Sequence, residues 1–406
     1  MINVPFSPPD ITEAEIESVA AVLRSGWITT GPVTKQFERD ISAFCGVKRT
    51  ACLSSGTAAM ELSLHLLGVG PGDEVITSAY TYSASASVAL HVGAAVVLAD
   101  TVKGGVNIDP ESVRSKITGR TKAVIPVDIV GVPVDYDALY TVLEDAKGLF
   151  SPGSELQRQL GRIAVIGDAA HAFGAVYKGE SVALKSDFSC FSFHAVKNMT
   201  TSEGGCVCFN DIGGIGADDL YEEFMLYSTH GQDKDALAKT KAGWEYDILL
   251  PAYKCNMSDL LAAVGVSQLA RYADMLSRRR ALTERLDERF ARTRVKPLKH
   301  ETDDYTGSFH VYLVRIEGLD ESLRNRLIAE MLQRGVSLNV HFKPLPLMTA
   351  YKNLGFSIED YPNAYDYYKA AVSLPLFSTM TIEQAEYTAA QLLEVLELPE
   401  FSDAHR

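Results

Sequence analysis

Cysteine is scarce, with six in 406 residues and no Cys-x-x-Cys pair. That excludes a disulfide scaffold and gives no ground for a metal site. The six read as buried, reduced thiols of a cytoplasmic protein, and Cys206 and Cys208 are expected to point to opposite faces of one strand. Positive charge is also short: the formal balance is −14. An acidic chain is poorly suited to duplex nucleic acid or to an anionic membrane, since both attract basic surfaces. No apolar run reaches the ~18 residues needed to span a bilayer. The opening Met1-Ile2-Asn3-Val4-Pro5-Phe6 lacks both the basic region and the apolar stretch of a signal peptide. Internal repeats and low-complexity tracts are missing. No Gly-x-Gly-x-x-Gly turn follows an early strand, which weighs against a nicotinamide oxidoreductase. Against these absences stands a hydrophobic content of 47%, enough to build a core. At roughly 100–200 residues per domain the length allows two to four domains.

Thr12-Glu13-Ala14-Glu15 predicts a capping box, with Ile16, Val19, Ala20 and Leu23 on one helical face and Gly26 as the stop. Short apolar runs then alternate with helical segments. Strands are expected at Ala51–Leu53, Glu74–Thr77, Ala95–Ala99, Ala123–Val127 and Ile163–Ile166. Helices are expected from Ser54 to Leu66 and from Ser83 to His91. Continuously apolar strands separated by helices predict an α/β fold with a mostly parallel sheet covered on both faces. Two strands follow at Phe188–Phe193 and Gly205–Phe209, then a looser region from Asp211 to Lys254 carrying Gly231, Gly243 and Pro251. A long helix is expected from Ser258 to Arg292. Phe309–Ile316 and Val336–Val340 read as strands, and Leu319–Arg334 and Thr381–Leu396 as helices. This tail suggests a smaller α+β domain at 255–406 after a large domain at 1–254. The run Arg278-Arg279-Arg280 is expected to be a solvated helix face.

Three segments carry chemistry. Ser54-Ser55-Gly56-Thr57-Ala58-Ala59 joins a strand to a helix, where free N–H groups and the positive dipole end suit a phosphate. An ordinary Ser or Thr N-cap reads the same residues equally simply. In Val165-Ile166-Gly167-Asp168-Ala169-Ala170-His171 an apolar strand ends in an acid, with a histidine three positions on. Ligands of parallel sheets sit beyond such strand ends, and a carboxylate there can pair with a protonated ring nitrogen. In Phe191-Ser192-Phe193-His194-Ala195-Val196-Lys197 a strand delivers one lysine into a loop that closes on Gly204-Gly205. Such a lysine alone would simply snorkel to solvent. Together, a phosphate cradle, a ring-nitrogen acid and a strand-end lysine are the parts that a phosphorylated aldehyde cofactor needs.

On these segments the chain resembles the DegT/DnrJ/EryC1/StrS family of nucleotide-sugar aminotransferases, which use pyridoxal phosphate on the fold type I scaffold. The likeness runs from Leu23-Arg24-Ser25-Gly26-Trp27-Ile28-Thr29-Thr30-Gly31-Pro32 to Ser373-Leu374-Pro375-Leu376-Phe377. Within the family it is most similar to the UDP-4-amino-4-deoxy-arabinose synthase type. The resemblance implies that Lys197 bonds the cofactor as an internal aldimine and that Asp168 pairs with the pyridine nitrogen. It implies that His171 meets the phenolic oxygen, that Tyr82 stacks on the ring, and that Gly56, Thr57 and Ser192 hold the phosphate. Many members carry Asn where this chain has Lys254 and Arg where it has Asn256. That segment reaches the neighbouring subunit's cofactor phosphate in the family; here Lys254 is read as doing so or as binding the nucleotide. A homodimer with shared active sites is implied.

The implied reaction moves an amino group from L-glutamate to a nucleotide-linked keto sugar. A UDP-linked 4-keto sugar such as UDP-2-acetamido-2,6-dideoxy-hexos-4-ulose is preferred. A UDP-4-keto-pentose and a dTDP-keto-6-deoxy-sugar are the alternatives. The presence of Lys197 weighs against the family's dehydratase branch, which has histidine there. His341, in Asn339-Val340-His341-Phe342-Lys343-Pro344, is expected in the sugar pocket. Trp27, Thr29 and Thr30 are read equally as substrate contacts and as braces of a dimer. A non-catalytic binding protein on the same scaffold is the rival from another class, and the intact lysine and acid weigh against it.

Overall fold

The computed structural model describes residues 2–233 and 245–402; Gly243 of the looser region lies outside them. Thirteen strands are found among the described residues. They are β1 (Arg49–Leu53), β2 (Glu74–Ser78), β3 (Ala95–Ala99), β4 (Thr121–Ile125), β5 (Ala164–Asp168), β6 (Val176–Tyr177), β7 (Glu180–Ser181), β8 (Phe188–Ser192), β9 (Gly205–Phe209), β10 (Val295–Pro297), β11 (Tyr305–Thr306), β12 (Tyr312–Ile316) and β13 (Ala371–Leu374).

Seven of them form the central sheet in the order β1-β9-β8-β5-β4-β2-β3. The pairs from β3 through β2, β4 and β5 to β8 are parallel. β9 runs antiparallel to both β8 and β1, so six strands share one direction and one opposes it. Alternation along each strand sorts side chains between two cores. On one face lie Leu53, Val75, Ile125, Ile166, Phe188 and Val207. On the other lie Cys52, Ile76, Val124, Val165, Phe191 and Cys206. Cys208 joins the second face as well, which corrects the reading of opposite faces: residues two apart on a strand share a side. All six thiols are free, and all but Cys255 are buried.

β10, β12 and β13 form a second, antiparallel sheet. It packs against the helices Tyr272–Phe290, Glu321–Gln333 and Ile382–Leu396 around a core of its own, with Tyr312, Leu327 and Leu392 at its centre. Val4 belongs to that core and bridges Val336. A small third sheet joins β11 to β6 and β7.

The capping box at Thr12 and Glu15 forms as expected and starts the helix Glu13–Ser25, which ends on a left-handed Gly26. Its apolar stripe behaves differently: Ile16 and Leu23 are exposed while Glu15 is buried against Arg271. The long helix is two, Asp259–Ala270 and Tyr272–Phe290, broken at Arg271. The first packs on the helices Glu13–Ser25 and Pro32–Cys45. Arg279 corrects the expected solvated face: it is 3% exposed and its guanidinium Nη1 donates to the carbonyls of Phe309, His310 and Leu376. Val336–Val340 forms only isolated bridges, and the looser region contains the helix Ala217–Ser228.

Candidate active site

The shared direction of β1, β2, β5 and β8 brings four strand ends to one edge of the sheet, where ligands of such sheets bind. β1 ends beside the helix Gly56–Leu66, capped by the Ser55 hydroxyl, which accepts from the Ala58 N–H at 3.0 Å. β5 ends in Asp168, β8 ends in Ser192, and Lys197 lies in the turn that follows. β2 leads through Tyr82 into the helix Ala84–His91. These ends enclose a cavity of about 380 Å³, lined by Gly56, Thr57, Tyr82, Asp168, His171, Ser192, Lys197 and His341 among others.

The cradle at Gly56 depends on close packing. A Cβ on Gly56 would lie 3.1 Å from the Phe191 carbonyl oxygen. A Cβ on Gly205 would lie 2.6 Å from that same oxygen and would run into the Gly56 nitrogen. Glycine at both places lets the strand ends of β8 and β9 sit against the helix N-terminus. Gly56 and Thr57, the first residues of that helix, line the cavity.

Asp168 is buried. Its Oδ2 accepts from the Ser85 hydroxyl at 2.6 Å and its Oδ1 from the Ala170 N–H at 3.2 Å. Burial pushes its carboxyl up; the Ser85 hydroxyl, the Ala170 N–H and the charge of Lys197 pull it back. Burial lowers the Lys197 amine to about 8, with Asp168 opposing. A lysine so placed has an appreciable neutral fraction near physiological pH.

His171 is buried with its Nδ1 accepting from the Val130 N–H at 3.1 Å. Since a backbone N–H can only donate, Nδ1 bears no hydrogen, and the neutral ring carries it on Nε2. Burial drives this imidazole well below its ordinary value, helped by Lys197 and His341. Its ring stacks on Phe342 at 5.6 Å. His341 hydrogen-bonds the Ser373 hydroxyl at 2.9 Å, and burial brings it down to about 4. Tyr82, 65% exposed, stands beside Phe342 at 5.8 Å with most of its ring free.

Four expected residues lie elsewhere. Thr29, Thr30, Lys254 and Asn256 do not line this cavity. Lys254 hydrogen-bonds Asn256, and Asn256 hydrogen-bonds Thr30. The Thr30 hydroxyl donates to the Met257 carbonyl at 2.5 Å, and Trp27 Nε1 to the Thr30 carbonyl at 3.1 Å. This group is tied to the end of β1 through the Leu53–Asn256 bridge. Two site residues escaped the sequence reading. Ser85 sits one turn beyond Tyr82 with nothing to distinguish it from Ser83 and Ser87. His310 interrupts the apolar run Phe309–Leu313, a signal that was there to be used.

A strand-end lysine, a buried acid and a helix-capped cradle on a largely parallel sheet define a pyridoxal-phosphate enzyme of fold type I. The glycine-dependent cradle and the buried acid fit that cofactor. The profile of the DegT/DnrJ/EryC1/StrS aminotransferase family matches residues 9–393. The spore coat polysaccharide biosynthesis protein SpsC of Bacillus subtilis is 36% identical over 390 residues, covering 94% of each chain. Spr1654 of Streptococcus pneumoniae, described as a sugar aminotransferase and solved in its PMP form, is 47% identical. It covers 97% of this chain and 99% of its own at a TM-score of 0.95. Helicobacter pylori PseC, an aminotransferase involved in pseudoaminic acid biosynthesis, is 26% identical. It covers 98% of this chain and 100% of its own at a TM-score of 0.85. The chain belongs to the DegT/DnrJ/EryC1/StrS aminotransferase family. It is a pyridoxal-phosphate-dependent transaminase. No helix among the described residues is long and apolar enough to cross a membrane.

Proposed function

We propose that this aminotransferase transfers the amino group of L-glutamate to a UDP-linked 4-keto sugar, such as UDP-2-acetamido-2,6-dideoxy-hexos-4-ulose. The product would be a 4-amino sugar for surface polysaccharide, made in the cytoplasm. The observation that carries this reading is the convergence of Lys197, Asp168 and the Gly56 cradle on one cavity, in a chain whose relatives are named for sugar amination and polysaccharide biosynthesis.

Pyridoxal phosphate supplies an aldehyde that exchanges amines and, with its ring nitrogen protonated, an electron sink. Gly56 and Thr57 at the helix N-terminus, with the Ser192 hydroxyl, would bind its phosphate. Asp168 would hold the proton on the ring nitrogen. His171 would donate its Nε2–H to the phenolic oxygen, and Tyr82 would cover one ring face. Lys197 is the covalent anchor. With the cofactor bound, the freed Lys197 amine would take the proton from the carbon bearing the amino group and deliver it to the cofactor's former aldehyde carbon, a task suited to a group titrating near 8. His341 orients the sugar.

The working unit is proposed to be a homodimer. Ile11, Ile16, Leu23 and Ile28 are exposed near one another in sequence. The group of Thr29, Thr30, Lys254 and Asn256 stands outside its own cavity, as a segment serving a neighbouring subunit would. A large domain at 1–254 and a small one at 255–406 are proposed, supported by the separate core of the second sheet. The helix Asp259–Ala270 nevertheless packs back on the large part.

The test is a panel of UDP- and dTDP-linked keto sugars with L-glutamate, with products identified by mass spectrometry and NMR. Amination of the UDP-4-keto hexose above the others is expected. Transfer only to a dTDP-sugar or to the pentose would replace the substrate assignment. The absence of transfer to every sugar of the panel would overturn the nucleotide-linked keto-sugar assignment.

A further inference from the structure

The histidine beside His171 is wired the opposite way. His310 is buried and lines the same cavity, with its ring 4.5 Å from that of His171, centroid to centroid. Its Nδ1 lies 2.7 Å from the Asn198 Oδ1. The Asn198 Nδ2 donates to the Ser308 carbonyl at 2.6 Å. A carbonyl can only accept, which fixes the amide: its oxygen faces His310, so Nδ1 of that ring carries the hydrogen. In the neutral ring Nε2 is then a bare lone pair. In water a neutral imidazole favours hydrogen on Nε2; here Asn198 imposes the other tautomer.

The backbone around the two rings is tied down. Val130, which fixes His171, stands at φ 52, a left-handed backbone uncommon for a β-branched residue. The turn around it is tied by the Gly131 N–H to the Asp128 carbonyl at 3.0 Å. On the other side Arg279 grips the His310 carbonyl at 3.2 Å, and Ser308 hydrogen-bonds the His171 carbonyl. The cavity wall therefore offers one N–H donor and one nitrogen acceptor side by side. Lys197, the Gly56 end of the helix, Ser192 and Thr57 bring hydrogens to this cavity, and Asp168 and Glu203 bring carboxylates; a neutral nitrogen acceptor beside them has a different use.

We propose that His310 is a specificity-determining residue whose Nε2 accepts a hydrogen bond from a hydroxyl or amine group of the substrate, and that Asn198 is the positioning residue that keeps that nitrogen bare. This rests on the reading that substrate enters this cavity. With the His171 Nε2–H assigned to the cofactor's phenolic oxygen, the substrate is recognised at this wall as a donor to His310. The donor group belongs to a sugar ring or to the amino acid.

The test joins spectroscopy with kinetics on the holoenzyme. Two-bond ¹H–¹⁵N correlation of histidine-labelled protein reads each tautomer and needs no substrate, so a wrong choice of sugar leaves it intact. His171 is expected in the Nε2–H form and His310 in the Nδ1–H form. Asn198→Leu should return His310 to the Nε2–H form. It should raise KM roughly tenfold, the scale of one lost hydrogen bond with an unpaired partner. Asn198→Asp, whose carboxylate still accepts from Nδ1–H but no longer donates to the Ser308 carbonyl, should restore the tautomer and recover part of the KM loss. KM is measured separately for L-glutamate and for UDP-2-acetamido-2,6-dideoxy-hexos-4-ulose, and the one that rises identifies the bearer of the donor group. His310 in the Nε2–H form in the unaltered protein would overturn the proposal. So would a reversed tautomer in Asn198→Leu with both KM values unchanged, or a fall in kcat alone.

Discussion

The Ser85 hydroxyl donates to Asp168 Oδ2 at 2.6 Å, from a helix on one strand end to an acid on another. Ser85 is itself buried and is joined to the Thr81 hydroxyl at 2.9 Å. The bond favours the ionised carboxylate and holds its plane. Ser85→Ala should therefore raise the apparent pKa of Asp168 and lower kcat roughly tenfold, in keeping with a charge-assisted bond. A pH–rate profile checks it: the acid limb should move upward in pH. An unmoved limb would mean that the serine is only a packing contact.

Asp168→Asn replaces the charge by a neutral amide of the same shape. Loss of the carboxylate should lower turnover by roughly 10²–10⁴-fold, with the cofactor still bound. Lys197→Ala should abolish turnover and remove the bound-cofactor absorption, while circular dichroism remains that of a folded chain. Near-native rates in either variant would reassign those residues to structural roles.

The pH dependence of Lys197 can be followed in protein stripped of cofactor. Only the neutral amine attacks an aldehyde, and burial brings that amine to about 8 from an ordinary 10.5. The rate of covalent recapture of added pyridoxal phosphate should rise with pH to a plateau, with its midpoint near 8. Stability follows with a definite sign. Between about 8 and 10.5 the unfolded chain binds the extra proton, so this group's contribution to stability increases with pH across that window. Denaturant titrations of the unaltered protein and Lys197→Met, compared at pH 7.5 and 9.5, should show the difference.

Gly205→Ala should damage cofactor binding before anything else. The added methyl meets the Gly56 nitrogen and the Phe191 carbonyl oxygen, so the helix N-terminus must retreat from β9. A weakening of pyridoxal phosphate affinity of roughly tenfold or more is expected in equilibrium dialysis, about 1.4 kcal/mol. Unchanged affinity would show that the cradle has slack.

Arg279→Met removes three hydrogen bonds from buried carbonyls. A loss of about 3–5 kcal/mol is expected, the cost of leaving such groups unpaired. Chemical denaturation measures it directly.

Much of this architecture was legible from periodicity. The strands β1 to β5, β8 and β9 each carry a short apolar stretch and are buried along most of their length, and their order of appearance between helices leaves little besides a mostly parallel sheet. The capping box read at Thr12 marks a helix start, and the helix expected from Thr381 turns out to begin on a second one. The misses have physical reasons. Ile16 and Leu23 look like a core stripe because pattern alone does not say which surface covers them. Arg279 sits between two exposed arginines, and only the convergence of carbonyls from Phe309, His310 and Leu376 makes its place. Lys197 and Asp168 were found because strand ends carry chemistry. Ser85 and Asn198 act through other residues, and no spacing in the chain reveals such partners.

Phe6 lines the cavity and stacks on His341 at 5.5 Å, two residues from Val4 and its bridge to Val336. Asp10, a little further on, pairs with Arg271 and with the Ser378 hydroxyl. Part of the cavity wall is therefore assembled from lengths of chain far apart in sequence, and the Phe6 segment finds its partners only once the second sheet exists. The lysine and the acid stand on the ends of neighbouring strands, whereas the enclosure around them depends on contacts of long sequence separation and is the later part to form.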